Sequence, residues 1–288
     1  MFANYAKQAL KLNLSNRVII VALILIPLVF GTLYGMLYSG MIKGYEDIKI
    51  DSPLVNNPLL SEKLILVAPA PALTPIGVMQ INIFAGSTFF TTAFAAIRFI
   101  KSREKKVIKR LVAMGYVDGQ VFWAEAMGTF LMNIIVCGVF NGLFLVVSAY
   151  LNHVPKTFVH LLSDPFSSEA LSHWGALTIM VLLQAAFASG YTMMGMGLFR
   201  SERTFSQLHV LPAFVMMFLG GALFPVDAGT SGGIYEWMPN YILSLFYKTI
   251  YTGQWQWQAQ NFLLLAALGL ASVMLLLIGR WRFRLCDE

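Results

Sequence analysis

Charged residues vanish from this chain for long intervals, and they do so repeatedly. Residues 18–38, 78–97, 126–150, 174–199, 208–224 and 261–279 contain no Asp, Glu, Lys or Arg. A bilayer's hydrocarbon core is about 30 Å thick and a helix rises about 1.5 Å per residue, so roughly 20 such residues cross it. Backbone polar groups in hydrocarbon must be paired within their own segment, which makes a helix the expected form of each run. With 58% hydrophobic and 12% charged residues and a mean hydropathy of +0.69, the chain lies outside the range of soluble domains. The expectation is an all-α integral membrane protein with about six transmembrane helices, the third starting at Val121 or Ala126. The first run follows basic residues, as a signal peptide's core does. It is longer than the roughly 7–15 residues of a cleavable core, so it reads as a retained span.

Of the 20 lysines and arginines, only Lys43, Lys49, Lys63, Lys156 and Lys248 fall on one face of this topology. The others cluster on the opposite face, around residues 7–17, 98–110, 200–203 and 280–284. The positive-inside rule sends the richer face to the cytoplasm, which puts both termini inside and the protein in the plasma membrane. The net charge of +6 is then explained by anionic lipid headgroups, with no nucleic acid required.

Between the runs, residues 1–17 place Phe2, Tyr5, Ala6, Ala9 and Leu10 at helical spacing, with Lys7, Gln8, Lys11 and Asn13 turned away. This predicts an amphipathic helix lying on the membrane surface. Residues 39–77 form an outside loop in which Pro53, Pro58, Pro69, Pro71 and Pro75 forbid a continuous helix. The two cysteines, Cys137 in a span and Cys286 in the tail, suggest no disulfide.

The stretch REKKVIKRLVAMGY, residues 103–116, interrupts this apolar pattern. As a helix it gathers Val107, Ile108, Leu111, Val112 and Gly115 on one side and Lys105, Lys106, Lys109 and Arg110 on the other. Like charges so close repel, so the segment calls for anionic partners, either headgroups or acidic groups of another protein.

Here the layout resembles the permease subunit of a type-2 ATP-binding-cassette (ABC) exporter. The matching residues are the Arg103-Glu104 start, the Arg110-Leu111 pair, and the Gly115 turn before VDGQVFWAEAM. A second match is GGALFPVDAGTSGGIYEWMPNYILSLFY, in which Gly220, Gly221, Phe224, Pro225, Trp237 and Pro239 resemble the family's break after the fifth span. The resemblance implies a single transmembrane domain over residues 1–288. It also implies a cytoplasmic coupling region at 101–119, docking on an ATP-binding subunit through Arg103, Glu104, Lys105, Lys106, Lys109, Arg110, Leu111 and Gly115. Residues 225–248 would be re-entrant and gate the outer side, with Phe224, Pro225, Trp237 and Pro239 carrying the likeness. Partners implied are the ATPase subunit, which would hold ATP and Mg, and a second permease copy or paralogue.

The sequence has no G-x-x-x-x-G-K-[ST], so this chain is not expected to be an enzyme or to bind a cofactor. Its four histidines form no H-E-x-x-H, and no metal site is expected. Ionisable residues scarcely enter the spans: Glu125 sits near one end of the third and His209 near an end of the fifth. That argues against an ion-coupled secondary transporter or channel, which keeps carboxylates at mid-bilayer. A non-transporting scaffold or sensor is the other alternative.

Uncharged polar residues do enter: Gln80, Asn82, Thr88, Thr91, Thr92, Asn133, Asn141 and Gln184. In hydrocarbon each must face another helix or a cavity. Asn82, Thr88, Asn133 and Gln184, with Met193 and Met217, are the candidates to line a substrate path, since flexible thioethers suit varied apolar ligands. Gly31-x-x-x-Gly35 and Gly138-x-x-x-Gly142 would let backbones approach closely, within the subunit or across a dimer.

Overall fold

The computed structural model describes residues 2–15, 24, 26–33, 35–36, 73, 75–104, 109–150, 166–217, 238–252 and 255–284. Every regular element among them is helical. In chain order they are α1 (Phe2–Ser15), α2 (Pro75–Glu104), α3 (Lys109–Ala113), α4 (Asp118–Tyr150) and α5 (Ser168–Leu198). The run Glu202–Phe205, Ser206–Val210 and Leu211–Met217 forms α6, and α7 (Pro239–Tyr251) and α8 (Ala259–Arg282) complete the set. A short helical piece beginning with the π turn Ile26–Phe30 lies between α1 and α2. Among the described residues, three helices, Asp118–Val146, Ser168–Leu198 and Asn261–Arg282, are long and apolar enough to cross a bilayer. The protein is an all-α, multi-span membrane fold.

The expected second span, 78–97, lies inside α2. The first and fifth expected spans are described only in part, through residue 36 and through Met217. The 39–77 loop, apart from Leu73 and the start of α2, lies outside the described residues. So do Lys105, Lys106, Phe224, Pro225, Trp237 and the Gly220-Gly221 pair.

Local chemistry explains several helix boundaries. Ser167 caps α5, its Oγ accepting from the Ala170 N–H at 3.1 Å, with Glu169 favourably placed in the first turn. Ser201 does the same for α6, accepting from Thr204 N–H at 3.1 Å, so α6 begins well before Leu208, where the uncharged run starts. The π turn inside α6 has a cause four residues on. Pro212 has no N–H to donate to Leu208, and just before it the Leu211 N–H reaches back five residues to the Ser206 carbonyl.

α2 is the centre of the molecule. The Ile26–Met36 piece, α5, the end of α6 and α7 pack around it, while α4 and α8 both pack on α5, and α1 lies along α4. The first glycine pair is what allows the Ile26–Met36 piece to sit on α2. A Cβ on Gly31 would stand 2.6 Å from Gln80 Cα, and one on Gly35 would strike Ile76. Gly138 and Gly142, by contrast, meet nothing within 4 Å.

Among the described residues, two large buried clusters and a small one around Met132 and Val136 fill the interior. Toward the basic helix ends, Phe99, Ile100, Phe122, Phe205 and Phe283 form one. At the other end, Phe84 stacks on Phe140 with ring centroids 3.8 Å apart, and Phe144, Tyr247, Tyr251 and Trp255 continue the packing.

Candidate functional site

At the basic end of α2 the side chains divide between structure and surface. Lys101 pairs with Glu202 at 2.8 Å, tying α2 to α6, but both are substantially exposed and the pair stabilises little. Arg103 turns inward. Its Nη1 donates to the carbonyls of Met196 at 3.1 Å and Phe199 at 3.4 Å, at the end of α5, and its guanidinium lies over the rings of Phe283 (4.9 Å) and Phe99 (5.5 Å). Burial, with Arg200 nearby, lowers its pKa to about 10, against the pull of Asp118, so it remains a cation at neutral pH. The structure therefore gives Arg103 the work of joining α2, α5 and the end of α8.

Beyond Glu104 the next described residues are α3 and the turn after it. Gly115 has φ +81, its N–H donates to Val112 O at 2.9 Å, and the Tyr116 N–H donates to Leu111 O at 3.1 Å. Those two bonds make a Schellman C-cap, with glycine in the left-handed position where a Cβ is disfavoured. Leu111 and Tyr116, the residues such a cap brings together, both pack against the inner cluster. On the other side Val112, Met114 and Val117 are 45%, 57% and 58% exposed. A short helix ending in an apolar tip thus connects α2 to α4, with Lys109 and Arg110 at its start.

α1 is held on α4 by more than an apolar stripe. The Tyr5 hydroxyl donates to Glu125 Oε1 at 3.0 Å, and Arg98 Nη2, from α2, donates to Asn13 Oδ1 at 3.2 Å and ties α1 to α2 as well. Ala9 lies against Gly128, where a Cβ would come within 3.0 Å of it. Burial and the Glu125 carboxylate raise the Tyr5 pKa, so the phenol stays a donor. Asn13, expected on the polar side, is instead buried, because Arg98 gives it a partner there. Nothing in the sequence linked Tyr5 to Glu125, which are 120 positions apart.

The polar residues of the spans are largely engaged with one another. Gln184 Nε2 donates to Thr88 Oγ1 at 2.8 Å, and Tyr247 donates to Gln184 Oε1 at 2.6 Å, joining α2, α5 and α7. Thr92 Oγ1 donates to Asn133 Oδ1 at 2.9 Å while Asn133 Nδ2 donates to Ser189 Oγ at 3.0 Å, joining α2, α4 and α5. Tyr251 bonds Asn141, and Gln80 Nε2 donates to Thr32 Oγ1 at 2.9 Å. Thr88, Asn133 and Gln184 are thus buried interhelical ties. Asn82 is also buried, Met193 belongs to the inner cluster with its carbonyl against Gly279, and Met217 packs on Gly86. Tyr247 and Ser189, which complete these ties, carried no signal in the sequence.

His209 lies in the α6 π turn, buried, its ring stacked on Tyr191 at 4.0 Å. Pro239 starts α7, a 13-residue helix too short to cross a bilayer, whose Asn240 Nδ2 donates to Met216 O at 2.8 Å. α7 runs three residues past the expected boundary at 248.

The sequence model of the ABC-2 type transporter family matches residues 2–251, most of the chain. The protein belongs to that family. It is a permease subunit of an ABC-type transporter, a multi-pass membrane protein whose role is transport, and permeases of this family carry no ATPase activity of their own. Family membership implies pairing with an ATP-binding-cassette subunit. No curated protein and no solved structure matches the chain significantly.

Proposed function

We propose that this permease is half of the membrane path of an ATP-driven exporter, with its basic helix ends and both termini in the cytoplasm. Two copies, or this chain and a paralogue, form the path above two ATP-binding subunits. The segment 101–119 is the coupling region. Lys105, Lys106, Lys109 and Arg110 supply charge for an acidic cleft, and Leu111 and Gly115 set the geometry of the turn. Arg103, at its root, transmits displacement into α5 and α8.

The observation that carries this reading is the tip of Val112, Met114 and Val117. It is apolar and exposed, held by a defined cap, and lies between α2 and α4 just after the basic stretch of the sequence. Exposed apolar patches outside the bilayer mark contact surfaces for other proteins. ATP-driven closure of the subunits beneath would displace this tip, and rigid-body motion of the spans would open the path outward.

The cargo class that fits is amphipathic or lipophilic: a drug, a peptide antibiotic or a lipid-linked molecule. The polar candidates Thr88, Asn133 and Gln184 are bonded to other helices, which leaves apolar and thioether side chains as the main surface for cargo. Phe224, Pro225, Trp237 and Pro239 belong to the outer gate, of which α7 forms the last, short helix.

The test is copurification of the protein with an ATP-binding subunit encoded beside it, followed by ATP hydrolysis and flux in vesicles. Charge reversal at Lys105, Lys106, Lys109 and Arg110 should weaken copurification and uncouple hydrolysis from transport. Normal coupling in those variants, or retention of every candidate cargo under ATP, overturns the proposal.

A further inference from the structure

α4 and α8 both pack on α5 but scarcely on each other, and a lateral groove remains between them. Along it lies a hollow of about 440 Å³, lined by Trp123, Met127 and Phe130 of α4, Ala186 of α5 and Leu276 of α8. That volume lies within the roughly 300–1,000 Å³ of sites that enclose small ligands. The lining is apolar except for Ser189, whose Oγ already accepts from Asn133 Nδ2. Trp123 and Met127 are 42% and 44% exposed, so the hollow opens sideways, toward lipid.

One helical turn toward the basic end, the groove changes character. Gly119 stands four residues before Trp123 on α4, and Arg280 stands four residues after Leu276 on α8, so both lie on the groove's own line. The Arg280 side chain reaches across it: its Nη2 is 3.0 Å from where a Cβ on Gly119 would be. Among the described residues no carboxylate pairs with Arg280. Next to it Trp281 is 76% exposed and carries the Arg282 guanidinium at 4.5 Å, the amphipathic combination found at the headgroup level of a bilayer.

An apolar hollow, with a guanidinium that has no carboxylate ion pair among the described residues about 6 Å further along the helix, matches one ligand. We infer that the α4–α8 groove binds an anionic phospholipid of the leaflet at the basic end, with its phosphate on Arg280 and an acyl chain in the hollow beside Trp123. A second protein copy fits less well, because a helix laid in the groove would bring hydrocarbon against the Arg280 charge. The inference needs the permease fold alone and does not depend on the coupling segment or on the direction of transport.

The test uses the full-length protein in mild detergent with added phosphatidylglycerol or phosphatidylcholine, and native mass spectrometry as the readout. The wild type should hold one phosphatidylglycerol in preference to phosphatidylcholine by about fivefold, the size of one basic residue's attraction to an anionic headgroup. Arg280→Gln should abolish the preference, Arg280→Lys should keep most of it, and Ala186→Phe, which fills the hollow, should lower retention of both lipids. An unchanged lipid ratio in Arg280→Gln, or unchanged retention in Ala186→Phe, overturns the inference. So does a disulfide between copies formed by Met127→Cys, which would put a second copy on this face. Normal ATPase coupling in the charge-reversal variants of the coupling segment, with lipid retention intact, would count against the proposed function and leave this site standing.

Discussion

Gln184 shows how much a single side chain decides in this interior. It accepts from Tyr247 and donates to Thr88, all three buried. Thr88 keeps the Phe84 carbonyl as its own acceptor, so Gln184→Leu chiefly deprives the Tyr247 hydroxyl of its acceptor, leaving it Asn141 nearby. The expected cost is about 1–2 kcal/mol, since interhelical bonds in membranes are weaker than the desolvation of an orphaned group suggests. It should appear as a lower melting temperature of the purified protein, and Gln184→Leu/Tyr247→Phe should recover part of it. A double variant no more stable than the single would mean the bond is not made. At Gly115 the cost is backbone alone, because nothing lies within 4 Å. Gly115→Ala should destabilise the turn by about 1 kcal/mol, and Gly115→Asn by less, since asparagine tolerates the left-handed region. Melting curves that rank alanine above asparagine would contradict the cap. That polar residues would sit inside was legible from the sequence, because hydrocarbon leaves them no other place. Which partner each takes was not, because those partners are 41 to 110 positions away.

Elements were legible where hydrophobic run length alone sets them and obscure where packing does. Both small-residue pairs read alike in the sequence, yet Gly31 and Gly35 receive α2 while Gly138 and Gly142 face open space. The difference is which side of each helix the fold turns inward. Gly31→Leu should therefore force the Ile26–Met36 piece off α2 and lower the yield of folded protein, whereas Gly142→Leu should leave a monodisperse, equally stable protein. Equal losses at both positions would contradict the packing. For α1 the amphipathic pattern gave the helix, while Tyr5 on Glu125 makes its dock on α4 specific and Arg98 on Asn13 ties it to α2. Tyr5→Phe should raise amide hydrogen exchange across residues 2–15 several-fold, with the exchange of α4 unchanged. Protection equal to wild type would show that the apolar contacts at Ala9 are enough.

At the scale of the whole molecule, the permease is an incomplete machine, and its surface carries the consequences. Its basic end has an exposed apolar tip, and its flank has a groove with an arginine at the mouth. If the first is a docking surface held mainly by packing at Val112, Met114 and Val117, Met114→Asp should reduce copurified ATP-binding subunit at least as much as Lys109→Glu. The Lys109→Glu defect alone should shrink at high salt, where exposed charges are screened. Identical salt responses would assign the contact to charge rather than packing. The sequence by itself determined that this chain lives in a membrane, that its described runs are helical, and where its positive charge gathers along the chain. Run length, hydropathy and charge count are local properties, and the bilayer acts on them directly. Only the tertiary structure decided that Arg103 faces inward, that Glu125 holds α1, and that α4 and α8 leave a groove. Those outcomes depend on how helices turn about their axes when they pack, and side chains distant in the chain set that rotation.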